Sequence, residues 1–546
     1  MFVKRNRSGS GEKRYESVLL VQGERVPVKR GPGRPRKDET RRTTVVHRTL
    51  ANLSKLPPQL VSLIERFCEA ERRGEELAAG VVEPVIGRAY GPLAAMLAIA
   101  REIGVEAALG KSRSGRLALF LVLARVLHQG SRLSAVRWAE SQAVAETLGI
   151  PEFTEDDLYA ALDWLADEQP RIERELLASR TPPTLYLYDV TSSYFEGQKN
   201  ELAAPGYSRD GKRFKKQIVA GLLTDGEGEP VSIHVYEGNT PDPKTVADQV
   251  RKMAGEYGAR EVALVGDRGM LKGPERELLC EHGFRYVTAL SEPQVRKKLA
   301  EGVLQLDLFS SRVAEVVGDD GIRYVLRRNE ASATRDRTRR DDQLAVVRRK
   351  VEARNQFVTD RPRASPEKAL ASATRWLARY GLAGFASARL EDRLVVVEVD
   401  AEKRAQIEQL DGCYVVISNV PAEAATAQSL WDRYGDLQRV ERDFRTLKTG
   451  LLQLRPIFLR RAGRTRGHAL VAMLALKIIR ALERRLKPSA LTVRDALDRL
   501  EGVRLVTLAA PELGLWRLPT KWDVPQREVL DLLPQLPAPV LSLGRA

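Results

Sequence analysis

The sequence predicts a mixed α/β fold in which helices flank a sheet, with a helical domain before the sheet and a β-rich insertion within it. Three observations lead to this prediction. Residues 56–180 repeat apolar side chains at helical spacing, residues 181–299 alternate strands with turns and helices, and residues 300–424 return to strands. Because 546 residues exceed the size of one hydrophobic core, we expect several structural units.

Residues 1–55 are predicted to form a basic N-terminal arm. Residues 1–50 carry 14 basic and 5 acidic side chains, a net charge of +9. A short β-like piece at 17–22 precedes a Gly- and Pro-rich basic stretch at 29–37, whose core Gly33-Arg34-Pro35 resembles an AT-hook. Arg34 would then enter a narrow minor groove of DNA, although a solvated linker has the same composition.

The whole chain is basic, which indicates a polyanionic partner. It has 89 Lys and Arg against 73 Asp and Glu, a net charge of +16. Nucleic acid is the natural candidate, and an arginine-rich composition without such a partner is the alternative.

Segments that would place the chain in a membrane or outside the cell are not evident. No apolar run approaches the roughly 18 residues of a membrane span, and residues 1–7 lack the apolar region of a signal peptide. Three distant cysteines, Cys68, Cys280 and Cys413, exclude a disulfide framework and indicate a reducing compartment. We therefore expect no membrane partner and a cytoplasmic, nucleoid-associated protein.

The pattern at 56–180 is typical of helices. Leu117, Phe120, Ala124 and Leu127 form a stripe at helical spacing, and Thr154 stands at capping-box spacing from Asp157. Short helices with basic faces fit a DNA-binding bundle, and an ordinary helical domain fits equally well.

The predicted sheet follows at 181–299, the first part of a core. Strands are expected at 184–190, 217–224, 230–236, 261–266 and 284–290, and helices at 243–257 and 274–282. Three strands joined by hairpins, and two reached through helices, make a mixed sheet.

The remaining chain interrupts and then completes this core. Strands at 324–328, 394–399 and 413–418 and an arginine-rich stretch at 335–350 form the predicted insertion, 300–424. Residues 425–490 are expected to supply the second part of the core, with one long helix from about 425 through 444 and another at 468–486. Residues 491–546, rich in proline after 510, are predicted to be an irregular C-terminal tail.

Three acidic residues stand at positions where chemistry is expected. Asp189 and Asp267 each follow an apolar run and so end predicted strands, where carboxylates of neighbouring strands can converge. Each alone is also a common helix cap or turn former. Glu441 lies seven residues from both Tyr434 and Lys448, so the three share a helix face. Glu441 alone also fits an ordinary salt-bridge partner of nearby basic residues such as Arg445.

Together these motifs resemble the DDE transposases of bacterial insertion sequences. The resemblance rests on Asp-Val-Thr-Ser-Ser-Tyr-Phe-Glu-Gly at 189–197, Gly-Asp-Arg-Gly-Met at 266–270 and Tyr-x6-Glu-x6-Lys at 434–448, with Lys216-Gln217-Ile218-Val219 opening the second strand. It covers roughly residues 90–490. It implies an RNase H-like core with a β-rich insertion between the second and third acids.

The resemblance also implies a site and a chemistry. Asp189, Asp267 and Glu441 would be the catalytic residues and would hold Mg²⁺ or Mn²⁺, most simply two ions, because hard cations prefer oxygen ligands. Tyr434 and Lys448 would contact phosphates beside the cut site, with Arg445 and Lys216 as further DNA contacts.

One position departs from the family pattern. Leu437 stands where the family has Arg, and Arg433, four residues earlier on nearly the same face, is the hypothesised substitute.

The implied function is a transposase that binds the terminal inverted repeats of its element, cleaves there and joins the ends to target DNA. Double-stranded DNA is the implied partner, and a homodimer is expected because two ends must be brought together. The alternatives are an RNase H-like nuclease without strand transfer, a DNA-binding protein with a decayed catalytic core, and, more remotely, a housekeeping metal hydrolase.

Overall fold

The computed structural model of the chain describes residues 1–8, 15–27, 43–54, 58–73, 83–510 and 514–536, except positions 198, 210, 213, 261, 450, 451 and 456. Arg34 and the basic stretch around it lie outside the described residues. The AT-hook prediction therefore stays a prediction.

The N-terminal arm contains more β structure than the sequence predicts. Strands β1 (Phe2–Ser8), β2 (Tyr15–Pro27) and β3 (Thr43–Asn52) form an antiparallel sheet in that order. Helix α1 (Pro58–Arg73) contacts this sheet, and Arg5 Nε donates to Glu65 Oε1 at 3.0 Å. Only β2 carries a concentrated apolar run, so the neighbouring strands β1 and β3 could not be recognised from local composition.

The helical pattern of the next region is confirmed. The helices are α2 (Gly91–Glu102), α3 (Val105–Leu109), α4 (Arg113–Leu127), α5 (Arg132–Glu140), α6 (Val144–Leu148) and α7 (Glu155–Ala178), preceded by strand β4 (Glu83–Ala89). The predicted capping box begins α7: the Asp157 amide donates to Thr154 Oγ1 at 3.3 Å, and the Thr154 amide donates to Asp157 Oδ2 at 2.8 Å.

The central sheet has the strand arrangement of an RNase H-like core. Its elements are β5 (Leu185–Tyr194), β6 (Gln217–Asp225), β7 (Pro230–Glu237), α8 (Asp242–Gly255), β8 (Ala263–Gly266), α9 (Gly273–Glu281), β9 (Arg285–Ala289) and α10 (Glu292–Ala300). Strands β5, β6 and β7 are antiparallel neighbours, whereas β8 pairs in parallel with both β5 and β9. The predicted mixed sheet is thus confirmed.

The insertion is less β-rich than the sequence predicts. It contains β10 (Ala314–Val317), β11 (Arg323–Arg328), α11 (Glu330–Asp360), α12 (Pro366–Arg379), β12 (Ala386–Glu391), β13 (Leu394–Val399), α13 (Ala401–Glu408) and β14 (Cys413–Ser418). Its longest element is α11, which has 31 residues and includes the arginine-rich stretch. Arginine is a good helix former, and Leu344, Val347, Val351 and Val358 are buried at helical spacing.

Two parts of the insertion have different neighbours. Strands β10, β11 and β14 extend the central sheet, giving eight strands in the order β10-β11-β14-β9-β8-β5-β6-β7. Helices α11 and α12 and the hairpin β12-β13 form a separate small hydrophobic core, in which Val347, Ala373 and Phe385 are buried. We refer to this part, residues 330–408, as the insertion lobe.

The predicted long helix after the insertion is wrong in one respect, because it is broken at Asp436. The segment forms α14 (Ala427–Gly435) and α15 (Leu437–Thr449). Gly435 weakens the helix there, and the Asp436 carboxylate accepts ion pairs from Arg433 at 3.3 Å and Arg439 at 3.0 Å. These contacts fix the turn between the two helices.

Helix α16 (Ala462–Leu486) is the buried centre of the molecule. It packs on α7, α4 and β7. An ion pair between the buried Asp443 of α15 and Arg480 of α16 joins the two helices. Despite the length of α16, no helix in the described part of the chain is apolar enough over sufficient length to cross a membrane.

The described part of the C-terminal segment, residues 491–510 and 514–536, is folded, so the prediction of an irregular tail is wrong there. It contains α17 (Val493–Leu500), β15 (Arg504–Ala510), β16 (Gly514–Pro519) and α18 (Val524–Leu530), and β15 pairs with β4. Its prolines occupy permissive places: Pro525 stands in the first turn of α18, and Pro519 ends an edge strand.

A glycine in α16 allows the close approach of α7. A Cβ at Gly467 would lie 2.0 Å from the Leu162 carbonyl oxygen, whereas a Cβ at Gly463 would meet only Asp163 Oδ1 at 3.6 Å. We predict that Gly467→Ala lowers the free energy of unfolding by about 1–3 kcal/mol through overpacking. Gly463→Ala, the matched control, should change it by less than about 1 kcal/mol. Urea denaturation of both variants measures this, and equal changes would contradict the close packing of α7 on α16.

Candidate active site

The register of two parallel strands places the first two acids side by side. Tyr188 of β5 pairs with Gly266 of β8, so the next residues, Asp189 and Asp267, stand at adjacent positions on strands about 4.8 Å apart. The prediction that Asp189 ends its strand is wrong, because β5 continues to Tyr194. Asp189 instead marks the point where the pairing of β5 with β8 ends.

Helix α15 brings the third acid to the same place. Its apolar face buries Val440, Phe444 and Leu447, and the helix packs along β5. Glu441 is exposed on the side of α15 that borders Asp189. The buried pair of Asp443 with Arg480 holds the helix at this rotation. The spacing of the apolar residues along α15 thus determines the side of the helix on which Glu441 lies.

Asp189 and Glu441 line one groove of about 520 Å³. Four basic residues line the same groove: Arg209, Arg445, Lys448 and Arg455. The predicted residues Arg445 and Lys448 are therefore brought together with two of the predicted acids. A groove of this composition suits a substrate that carries several negative charges.

The electrostatics of Asp189 reflect its crowded position. Burial chiefly, with smaller contributions from the carboxylates of Asp267 and Glu441, raises the pKa of Asp189 to about 7. A hydrogen bond at 2.7 Å from the Val190 amide and the nearby guanidinium of Arg209 oppose this rise in pKa. The three carboxylates are therefore close enough to repel one another, and a cation between them would relieve that repulsion.

Asp267 differs from the other two acids in its contacts. It is exposed, and its carboxylate accepts hydrogen bonds from the Tyr434 hydroxyl at 3.4 Å and from the Gly269 amide at 3.3 Å. Burial, and then the charge of Asp267, raise the pKa of Tyr434. Tyr434, predicted as a DNA contact, is thus half-buried beside a catalytic candidate.

The acids are neighbours without forming a closed ligand set. Among the described residues, no three Asp, Glu, His or Cys side chains are grouped so that they could enclose a metal ion. The donor set still fits a hard divalent cation in kind, because all three side chains are carboxylates and the anion of Asp189 is destabilised by burial and, to a smaller extent, by its like-charged neighbours.

Sequence reasoning missed two groove residues, Arg209 and Arg455. Arg209 Nη2 donates to both carboxylate oxygens of Asp242, at 2.6 and 2.5 Å, and its amide donates to Ser192 Oγ at 2.9 Å. Both arginines come from irregular segments between elements, so no periodic pattern marks them. The only available signal was Asp242, which ends the motif Gly238-Asn239-Thr240-Pro241-Asp242.

Other predicted residues lie apart from the groove. Arg433 donates to the Gly226 carbonyl oxygen at 3.4 Å in the β6–β7 turn and pairs with Asp436, so the structure does not bring it to the acids. Its role as a substitute for the family's Arg therefore stays a prediction. Lys216 is exposed just before β6, where its carbonyl accepts from the Phe195 amide at 2.8 Å, and it is not one of the groove residues.

The side chains that could suggest a different hydrolase are buried. Ser192 and Ser193 are 0% exposed. His468 is also buried, its Nδ1 lies 2.8 Å from Arg132 Nη2, and burial followed by the charges of Arg132 and Arg125 lowers the pKa of His468 well below its usual range. None of the three side chains is open to a substrate, which leaves the carboxylates as the reactive feature.

Comparison with known proteins gives a family match and matches to solved structures. Residues 180–478 match the protein-family model described as "Transposase DDE domain". A cryo-EM structure of the piggyBac transposase synaptic complex with hairpin DNA matches over 75% of this chain and 76% of that chain, with 9% sequence identity and a TM-score of 0.36. No curated protein sequence matches this chain.

The raised pKa of Asp189 predicts a pH-dependent cost to stability. Between its ordinary value of 3.8 and about 7, the unfolded chain loses the Asp189 proton while the folded protein keeps it. This contribution therefore lowers the free energy of unfolding as pH rises through that window. Asp189→Asn removes this contribution. We therefore predict that the free energy of unfolding of the variant exceeds that of the unaltered protein by more at about pH 8 than at about pH 5.

Urea denaturation in the presence of a chelator measures this gain, because no cation then screens the carboxylates. Asp163→Asn, at a surface ion pair on α7, is the control and should show little pH-dependent gain. A gain from Asp189→Asn that is equal at both pH values would contradict the electrostatic description of the site.

Proposed function

Because this chain belongs to the transposase DDE domain family, we propose that it is the transposase of a bacterial insertion sequence, which cuts DNA at the terminal inverted repeats of its element and joins the ends to target DNA. One observation carries the proposal: Asp189 and Glu441 face a groove lined by four cationic side chains, with Asp267 adjacent in the strand register. A polyanionic substrate and a trio of carboxylates are the two requirements of metal-dependent phosphodiester chemistry.

In this proposal Asp189, Asp267 and Glu441 hold Mg²⁺ or Mn²⁺, most simply as two ions. When bound, such ions activate the attacking water or 3′-hydroxyl and stabilise the leaving oxygen. Asp189 neighbours Asp267 in the strand register and Glu441 in the groove, so it would be the central ligand of the three. To ligate an ion, Asp267 would have to give up the hydrogen bond that it accepts from the Tyr434 hydroxyl.

The basic side chains of the groove bind and orient the DNA backbone. Lys448 is 8% exposed at the groove wall and offers a compact charge to one phosphate, while Arg445 and Arg455 offer planar donor pairs. Arg209, held by Asp242 and Ser192, presents its cation beside Asp189. Together they would place a phosphodiester against the carboxylates and offset its charge.

Binding of the element ends requires surfaces beyond the groove. We assign this role to the N-terminal arm, residues 1–55, whose basic composition suits duplex DNA, together with the helical domain at 56–180 that follows it in the chain. A homodimer on DNA follows from the need to hold two ends together during strand transfer.

The proposal is tested with DNA that carries the terminal repeats of the element, in the presence of Mg²⁺. We predict that Asp267→Asn and Glu441→Gln each reduce cleavage by about a thousandfold, because a metal ligand supports several kcal/mol of transition-state stabilisation. DNA binding, measured by fluorescence anisotropy, should be retained. Asp163→Asn, an acid of α7 paired with Arg464, should cleave normally.

The outcomes separate the candidate activities. Equal product from the unaltered protein and Asp267→Asn would remove the assignment of the acids. Binding without any metal-dependent cutting would indicate a decayed core. Cutting without joining of pre-cleaved ends would indicate a nuclease rather than a transposase.

A further inference from the structure

The insertion lobe carries a cationic strip that the groove does not include. Lys350, Arg354 and Phe357 follow one another at spacings of four and three residues, so they lie along one face at the end of α11, and Arg361 comes directly after the helix as its C-cap. Residues 348–363 contain six basic and two acidic side chains, a net charge of +4. The strip is defined here as Lys350, Arg354, Phe357 and Arg361, with Trp376 of α12 beside it.

The cations of the strip rest on aromatic rings instead of pairing with acids. Arg354 Cζ lies 5.0 Å and Arg361 Cζ 4.4 Å from the ring centroid of Phe357, and Lys350 Nζ lies 5.6 Å from that of Trp376. A cation–π contact orients a charge without neutralising it. The strip therefore keeps its positive charge.

The first half of α11 behaves differently. There Arg339 pairs with Asp336 at 2.9 Å, and Arg340 pairs with Asp411. In the strip, Arg354 Nε is buried without a hydrogen-bond partner, and the nearby Asp360 accepts from Gln356 at 2.8 Å instead of from a strip cation. Within the described residues, no ion pair joins Lys350, Arg354 or Arg361 to an acid. One helix thus combines a neutralised half with a half whose charge is uncompensated.

We propose that this strip binds the phosphate backbone of duplex DNA, as a binding surface separate from the groove that holds the acids. Three observations favour this occupant: uncompensated positive charge, guanidinium groups oriented in advance by a shared ring, and exposure of that ring to 36%. The ring of Phe357 already supports two guanidinium groups, so it serves to orient donors rather than to stack on an unpaired base. The inference rests on the proposed function, which supplies DNA as the partner.

The test measures DNA affinity as a function of salt, without metal or cleavage. The probe is a labelled duplex of mixed sequence, because phosphate contacts are independent of sequence. The variant is Lys350→Gln/Arg354→Gln/Arg361→Gln. Its matched control is Arg389→Gln/Lys403→Gln/Arg404→Gln, which removes the same charge from the same lobe at side chains paired with Glu398, Asp400 and Glu408.

We predict that the strip variant lowers the slope of log K against log salt by about 0.9 for each phosphate that the protein no longer neutralises, hence by roughly 2 to 3 for three cations. The control variant should change the slope by less than about 1. Phe357→Leu keeps an apolar side chain but removes the π face, and should weaken binding a few-fold with a smaller change of slope. Circular dichroism of each variant verifies that the lobe is folded.

Equal slopes for the strip variant and the control variant would overturn the proposal. The proposal would also be overturned if the strip variant lowered the affinity for single-stranded DNA but not for duplex DNA, because the strip would then be a base-binding surface. If the unaltered protein bound no DNA at all, the proposed function itself would fail. If cleavage remained normal but the slopes were equal, only the strip assignment would fail.

Discussion

The confinement of three carboxylates to one partly buried place beside the sheet is the central constraint in this molecule. The parallel register of β5 and β8 fixes Asp189 beside Asp267, and α15 adds Glu441 from above. Strands β5 and β8 cannot move these side chains apart without losing their pairing. Helix α15 cannot do so without losing the burial of its apolar face. The cost appears at Asp189, whose pKa rises to about 7. Such a cost at a groove lined by basic side chains favours the proposed site for cations and a polyanion.

The rest of the fold maintains that geometry. Helix α16 supports the sheet through β7 and anchors α15 through the buried pair of Asp443 with Arg480. Helix α7 supports α16 where Gly467 allows close approach, and the C-terminal strand β15 returns to pair with β4. The insertion lobe has its own small core, so it can carry the cationic strip without disturbing the groove.

Much of this organisation could be predicted from the sequence, and the failures have physical causes. Apolar runs and turns indicate the five core strands, and the order of acids indicates Asp189, Asp267 and Glu441. Local patterns could not show that β10, β11 and β14 join the central sheet, since that pairing spans most of the insertion. They also could not locate Arg209 and Arg455, which irregular segments bring into the groove. The prediction for Arg433 assumes one continuous helix, which Asp436 divides into α14 and α15, so the place of Arg433 relative to the acids could not be foreseen.

Asp189, Asp267 and Glu441 are expected to ligate one shared set of cations. A crystal structure of the protein with Mn²⁺ and a cut DNA end, using anomalous scattering to locate the metal, tests this expectation most directly. We expect ions at oxygens of Asp189, Asp267 and Glu441, at about 2.0–2.2 Å, with Asp267 released from the Tyr434 hydroxyl. An anomalous peak held without Asp267 or without Glu441, while the DNA end lies in the groove, would contradict it.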